Sequence, residues 1–335
     1  MNPYLNLSEE SRLELWDNIR FVSFLPCTVY LFVSLTVGVP GNIIVLYIYG
    51  FRLQGKHSGR YFIPYLALAD LLALILSVAL HAMTNFFPVT FKYNDLCSWS
   101  FTLAFLTTIL SAFILLLISV QRYLKVCKPF DGQMTLFWRR TSLLLSLVLS
   151  IGLAIPSYFT FGSEMVYNEE MNVTGTACRR LTSSTQTVSL IHSVICALFM
   201  VAEAIALTFF YAEIAKVIFR RKREPLSTFY QTNSKENDKK KSNNVSLMFM
   251  IITIIFIISF ITRLVTFILE SAIVGIWERL SVAEYGIVRM VELFYIVNHL
   301  ANPFIYAFMD DKFRSELKAG LFCKTKLETE QSENT

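Results

Sequence analysis

Seven stretches of this chain stay apolar for longer than a water-soluble fold needs, and they restrict its architecture more than any other feature. They run Phe24–Phe51, Tyr61–Met83, Cys97–Val126, Arg140–Phe161, Gln186–Phe219, Asn244–Leu269 and Ala283–Met309. A spanning helix needs about 20 mainly apolar residues, and each stretch reaches that with room for tilt. Hydrocarbon offers the backbone no hydrogen bonds, so runs of this length must satisfy their own polar groups as helices. Composition agrees, with 54% hydrophobic and only 16% charged residues and a mean hydropathy of +0.51. With 12 Gly, 9 Pro and 6 Cys, collagen and disulfide-miniprotein classes are excluded. The expected fold is an all-α membrane protein, a seven-transmembrane helix bundle over residues 24–309. An extracellular N-terminal segment, 1–23, precedes it, and an amphipathic helix and cytoplasmic tail, 310–335, follow. The first residues show neither a basic n-region nor a small-residue cleavage site, so no cleavable signal peptide is expected. No internal repeat of the transporter kind is present.

Basic residues in the connections orient the bundle, because Lys and Arg collect on the cytoplasmic side. Most of the 30 fall in alternate connections and the tail, including the clusters Arg220–Arg223 and Lys239–Lys241. This places the N-terminus outside, the C-terminus in the cytoplasm and the chain in the plasma membrane. The sequons at Asn6 and Asn172 then lie outside, where glycosylation occurs, whereas the one at Asn244 lies inside. Cys97 opens the third segment at its outer end, and Cys178 sits in the loop between segments four and five. A disulfide between them would lie in the oxidising compartment, the other reading being two free thiols. Cys27, Cys127 and Cys196 read as small buried apolar residues.

Polar residues inside the spans narrow the function, since such groups are costly in hydrocarbon and usually functional. The first segment holds Gly41-Asn42 and the second Leu66-Ala67-Leu68-Ala69-Asp70. The third begins at Cys97 and ends in Gln121-Arg122-Tyr123, and the seventh carries Asn298-His299-Leu300-Ala301-Asn302-Pro303-Phe304-Ile305-Tyr306. This set, in this order, resembles the rhodopsin-like family of G-protein-coupled receptors from about Val37 to Phe322. Several family landmarks differ. Gln121 replaces the usual acid before Arg122, Glu203 replaces the proline of the fifth helix, and the fourth helix lacks its tryptophan near Ser146. The sixth helix reads Phe256-Ile257-Ile258-Ser259-Phe260-Ile261-Thr262, so Phe260 stands in for the usual tryptophan and the helix has no proline kink.

The resemblance implies a receptor that binds an extracellular ligand and activates a heterotrimeric G protein. Its switch would comprise Arg122, Tyr211, Phe256, Phe260, Asn302, Pro303 and Tyr306. Its central polar network would comprise Asn42, Asp70, Ser111, Asn298 and His299, where relatives hold a sodium ion beside the aspartate. His299 replaces a small serine there, and two readings stay open: it bonds Asp70 in place of the ion, or it packs towards Asn42. Phe313, Leu317 and Phe322 form one apolar face after the seventh helix, suited to lying along membrane lipids, with Cys323 beyond it as a palmitoylation candidate.

Ligand chemistry is read by elimination. A retinal pigment needs a lysine in the seventh helix, and none occurs between Lys241 and Lys312; an amine receptor needs a carboxylate in the third, and Leu96–Val120 has none. His81, Arg263, Arg289 and Glu292 remain as outer-cavity candidates, a mixture suited to a peptide, although Arg263 and Glu292 can equally neutralise each other. The alternative is a transporter or channel with a polar path through Asp70, Asn298 and Asn302. Four histidines without ligand spacing speak against an enzyme. No cofactor and no nucleic-acid partner are expected.

Overall fold

The computed structural model describes residues 4, 6–53, 60–130, 133–181, 186–223, 233–273, 277 and 280–320. An unforeseen helix, α1 (Glu9–Ser23), precedes the bundle. The spans follow as α2 (Leu25–Tyr47, extended by a π-wound turn to Arg52), α3 (Ile63–Phe86), α4 (Asn94–Cys127), α5 (Leu136–Ala154), α7 (Gln186–Arg223) and α8 (Asn233–Ala272). A short α6 (Pro156–Thr160) continues α5, because Pro156 cannot donate a backbone hydrogen bond but suits the first turn of a new helix. The seventh span is broken into α9 (Val282–Leu293) and α10 (Ile296–Met309), and residues 311–320 form α11. Large apolar side chains such as Phe32, Leu144, Val148, Ile205 and Ile258 point outwards from the bundle, as a belt in contact with lipid requires.

The break in the seventh span has no proline or glycine at its site. Phe294 and Tyr295 turn tightly there, with Val297 N–H reaching Phe294 O at 3.1 Å and Asn298 N–H reaching Tyr295 O at 3.1 Å. About two turns beyond it lies Pro303, which has no N–H to give the carbonyl four residues earlier. That carbonyl belongs to His299, and Asn42 Nδ2 of α2 fills the gap at 2.8 Å. The two helices approach closely here, a Cβ on Gly41 lying only 3.0 Å from the Pro303 ring.

At one end of the bundle a β-hairpin, β1 (Phe161–Asn168) with β2 (Val173–Arg180), covers the helix ends. Cys97 and Cys178 are joined in a disulfide that ties β2 to the start of α4. Asn172 takes φ 46° at the hairpin tip, a conformation that asparagine tolerates better than most residues. Residues Val89–Phe91 add a third edge through Thr176, whose N–H donates to Val89 O at 2.7 Å and whose carbonyl accepts from Phe91 N–H at 2.8 Å. Of the cysteines read as buried, Cys27 and Cys196 are so, whereas Cys127, the last residue of α4, is half-buried.

Helix α1 rests on this hairpin. Ser8 caps it, Glu9 and Glu10 sit in its first turn and Arg20 in its last, matching charge to the helix dipole. Trp16 is buried with Val89, Val166 and Val173, and Asp17 Oδ1 accepts from Val89 N–H at 3.1 Å and Thr90 Oγ1 at 3.0 Å. Arg20 lies 4.1 Å from the centroid of the Tyr285 ring of α9. At the far end Asp310 caps α11 and takes both Arg60 nitrogens at 2.9 Å and the Tyr49 hydroxyl at 2.7 Å. Phe313 of α11 is buried against Tyr49, and Leu317 packs on the same cluster; Phe322 and Cys323 lie outside the described residues.

Gly175 leaves room for this docking. A Cβ there would fall 2.5 Å from the Val89 carbonyl oxygen and 3.1 Å from the Trp16 ring. Gly175→Ala should therefore cost about 1–3 kcal/mol, the usual range for overpacking. Melting of the purified protein should fall accordingly, and amide exchange over residues 9–23 should quicken; unchanged values in both would refute the packing argument.

Candidate functional site

Three polar layers are stacked through the bundle. The one nearest the hairpin is built on Glu292 of α9, which is buried and receives Arg263 of α8 on one oxygen and Arg289 Nη1 on the other, the latter at 2.7 Å. Arg289 continues to Thr84 Oγ1 and, at 3.3 Å, to Asn85 Oδ1, both on α3. Asn85 Nδ2 in turn donates to Thr28 Oγ1 of α2 at 3.2 Å. His81 Nε2 meets the Tyr295 hydroxyl at 3.1 Å. The four residues singled out from sequence thus converge, and Arg263 and Glu292 do pair; the sequence did not indicate that one carboxylate serves two arginines. The carboxylate bridges two guanidiniums, taking one charge-assisted hydrogen bond from each.

Between this layer and the hairpin lies a small vestibule of about 60 Å³ walled by Arg179, Arg180, Arg263, Arg289, Glu270 and Glu292 with Phe161, Trp277 and Tyr285. Beneath it, and sharing Phe101 and Arg263 with its wall, is an aromatic cavity of about 60 Å³. Phe101, Phe105, Phe199, Phe260 and Phe267 line it, with Glu203 among them. Glu203 is buried, and its Oε1 has no hydrogen-bond partner among the described residues. The lining suits a ligand site, mostly apolar with a few placed polar groups.

The central layer is built on Asp70 of α3. Its Oδ1 accepts from Ser111 Oγ at 2.5 Å and from His299 Nδ1 at 2.9 Å, and its Oδ2 accepts from Asn302 Nδ2 at 2.7 Å. The His299 ring bonds Asp70, whereas the contact with Asn42 is made by its backbone carbonyl and not by the ring. Asn298 is buried nearby, yet no hydrogen bond joins it to Asp70 among the described residues. A hard cation takes oxygen ligands. Here two of the three groups on the carboxylate present N–H, and the histidine ring occupies its flank. The donor set satisfies the aspartate itself and does not fit a sodium ion.

The third layer is the end bearing Arg122, whose buried guanidinium lies 5.1 Å from the Phe249 ring centroid of α8. Phe249 touches Tyr306 edge-on at 6.2 Å, and Tyr306 touches Tyr49 at 5.5 Å. Tyr211 and Tyr306 are both buried, and neither hydroxyl has a hydrogen-bond partner among the described residues. In mid-bundle Phe256 and Phe260 stack at 4.4 Å.

A seven-helix membrane bundle with a disulfide-tied hairpin over a cavity, an aspartate node and a buried arginine defines a receptor architecture. The family model for the 7 transmembrane receptor (rhodopsin family) matches residues 41–306, and the chain belongs to that family of G-protein-coupled receptors. It is 25% identical to neuromedin-U receptor 2 of Mus musculus over 94% of this chain and 80% of that protein. It is 21% identical to bombesin receptor subtype-3 of Ovis aries over 89% of this chain and 75% of the other. Proteinase-activated receptor 2 of Rattus norvegicus is 23% identical, over 97% and 78% respectively. Proteins of this family are signalling receptors and not enzymes. Membership disfavours the transporter or channel alternative.

Two tests follow from the buried carboxylates. Glu292→Gln strands two largely buried guanidiniums and should cost about 3–5 kcal/mol, with Arg263→Met in the same chain recovering part of the loss; thermal melting of the single and double variants decides. For Asp70, melting should be compared in sodium and in an organic cation at equal ionic strength. The wild type should melt at the same temperature in both, and His299→Ser should gain stability in sodium alone.

Proposed function

We propose that the hairpin end faces outwards from the plasma membrane and binds a peptide, and that the Arg122 end engages a heterotrimeric G protein in the cytoplasm. The carrying observation is the vestibule, where four arginines and two glutamates stand over an aromatic cavity. A lipid or steroid ligand has little use for so many charges, whereas a peptide presents backbone amides, termini and side chains of both signs. The names of the relatives, receptors for neuromedin-U and bombesin among them, support the same ligand class. Asn6 and Asn172 are exposed, consistent with glycosylation outside, and the basic clusters consistent with the cytoplasmic side lie in the last turn of α7 and the early turns of α8. Lipid contact falls to the outward apolar belt and to α11, with palmitoylation of Cys323 a further expectation. A second-messenger screen of transfected cells against a neuropeptide library tests the ligand class. A response confined to small non-peptide compounds would overturn it.

A signal received at Arg263–Glu292 can reach the other end through α8, which carries Arg263, the Phe256–Phe260 stack and Phe249 on one helix. Gln121, an amide, gives Arg122 no opposite full charge as an acidic neighbour would. The resting state is accordingly less favoured, by about 1 kcal/mol, the scale of a modest ion pair. Ligand-free signalling should be measurable in the wild type and should fall in Gln121→Asp at equal surface expression. A silent wild type, or increased signalling in the variant, would refute this account of the resting state.

A further inference from the structure

Arg180 ends β2, two residues after Cys178, so the disulfide fixes the strand that carries it. Its side chain is only 7% exposed and lies between two aromatic rings, its guanidinium carbon 4.8 Å from the Phe161 centroid and 4.4 Å from that of Phe267. One nitrogen, Nη1, is committed to α7, donating to Ser193 Oγ at 2.6 Å, Ser189 Oγ at 2.8 Å and Ser189 O at 3.3 Å. The other two, Nε and Nη2, are buried without a hydrogen-bond partner among the described residues. Those two nitrogens form the edge of a guanidinium that takes both oxygens of a carboxylate in parallel hydrogen bonds. The rings and serines hold that edge in place before anything binds, so little side-chain entropy remains to be lost.

The other arginines of the vestibule are already engaged. Arg263 and Arg289 share Glu292, and Arg179 Nε donates to Glu164 at 2.7 Å. Glu270, one turn beyond Phe267 on α8, lines the same vestibule and has neither hydrogen bond nor ion pair among the described residues. It offers a ligand N–H or ammonium an acceptor in the same vestibule, near enough to Arg180 for the two charges to interact. Burial lowers the basicity of Arg180 while Glu270 opposes that fall, and a bound anion would compensate the charge more fully. Below, Phe101 belongs to both the vestibule and the aromatic cavity, so a group held at Arg180 stands beside the cavity mouth.

We infer that Arg180 is the docking point for an α-carboxylate carrying an apolar side chain, the free C-terminus of a peptide. The carboxylate takes the Nε–Nη2 edge, a backbone N–H faces Glu270, and the terminal side chain enters the cavity among Phe101, Phe105 and Phe267. The inference rests on the peptide reading above and adds the chemistry of the peptide's end.

N-acetyl-L-phenylalanine, its primary amide and free L-phenylalanine are the probes, titrated against the purified receptor with melting temperature as the readout. The acid should raise the melting temperature of the wild type, whereas the amide should require at least about tenfold higher concentration for the same shift, having lost a charge-assisted bidentate pair. Arg180→Lys retains the charge without the fork and should lose at least about tenfold in affinity for the acid, with the ligand-free melting temperature reporting whether it folds. Equal shifts by acid and amide in the wild type, where no variant is involved, would overturn the site. So would unchanged affinity in a folded Arg180→Lys. Stabilisation by free phenylalanine alone would overturn the peptide as its source. If library peptides activate the receptor equally well as C-terminal acids and amides, this inference fails while the peptide reading stands. If the acid binds through Arg180 and no peptide activates, the peptide reading fails while the carboxylate site stands.

Discussion

Hydrocarbon supplies no hydrogen bonds, so every polar group inside this bundle depends on another for its partner. Three buried carboxylates meet that demand at three depths, and each ties together elements distant in sequence. Glu292 joins α9 to α8 and, through Arg289, to α3 and α2. Asp70 joins α3 to α4 and α10, and Asp310 joins the end of α10 to Arg60, Tyr49 and α11. Buried ion pairs often contribute little net stability, since desolvation offsets their attraction. Their geometry is nonetheless demanding, and it fixes which helix lies beside which while apolar side chains fill the space between.

The sequence departs from family habit where these layers meet the centre of the bundle. A histidine stands beside Asp70, a glutamate lines the aromatic cavity from α7, and the residue before Arg122 is an amide. The first two put polar groups where relatives keep smaller or apolar ones. His299 is absorbed by the network, its ring on Asp70 and its carbonyl on Asn42. Glu203 faces a cavity whose other walls are largely phenylalanine. The two departures therefore differ in kind, one completing a set of hydrogen bonds and the other leaving an acceptor available.

Apolar run length made the spans legible, because a bilayer imposes its thickness on the chain directly. The break at Phe294–Tyr295 was not legible, since neither residue disfavours a helix and the turn arises from packing. Helix α1 left signals, Ser8 with Glu9 and Glu10 at its start and Arg20 at its end, but a search for spans passes over a polar helix. The hairpin was hidden similarly, its first strand adjoining the end of an apolar run. Asp70, Ser111, His299 and Asn302 could be grouped because each sits in a recognisable motif. Arg180 could not, since it belongs to no motif. Its setting is assembled from Phe161, Ser189, Ser193 and Phe267, which share no sequence window.

The seat of α1 also has a temporal side. Trp16 is buried against Val89, Val166 and Val173, so the helix made first cannot settle until the hairpin has been made. At a synthesis rate of about 5–20 residues per second, the interval is roughly 10–30 s. For that time Trp16 lacks the side chains that bury it in the finished fold. The most local element of the chain is thus completed by one of its least local contacts, and biogenesis rather than folding speed sets when α1 is seated.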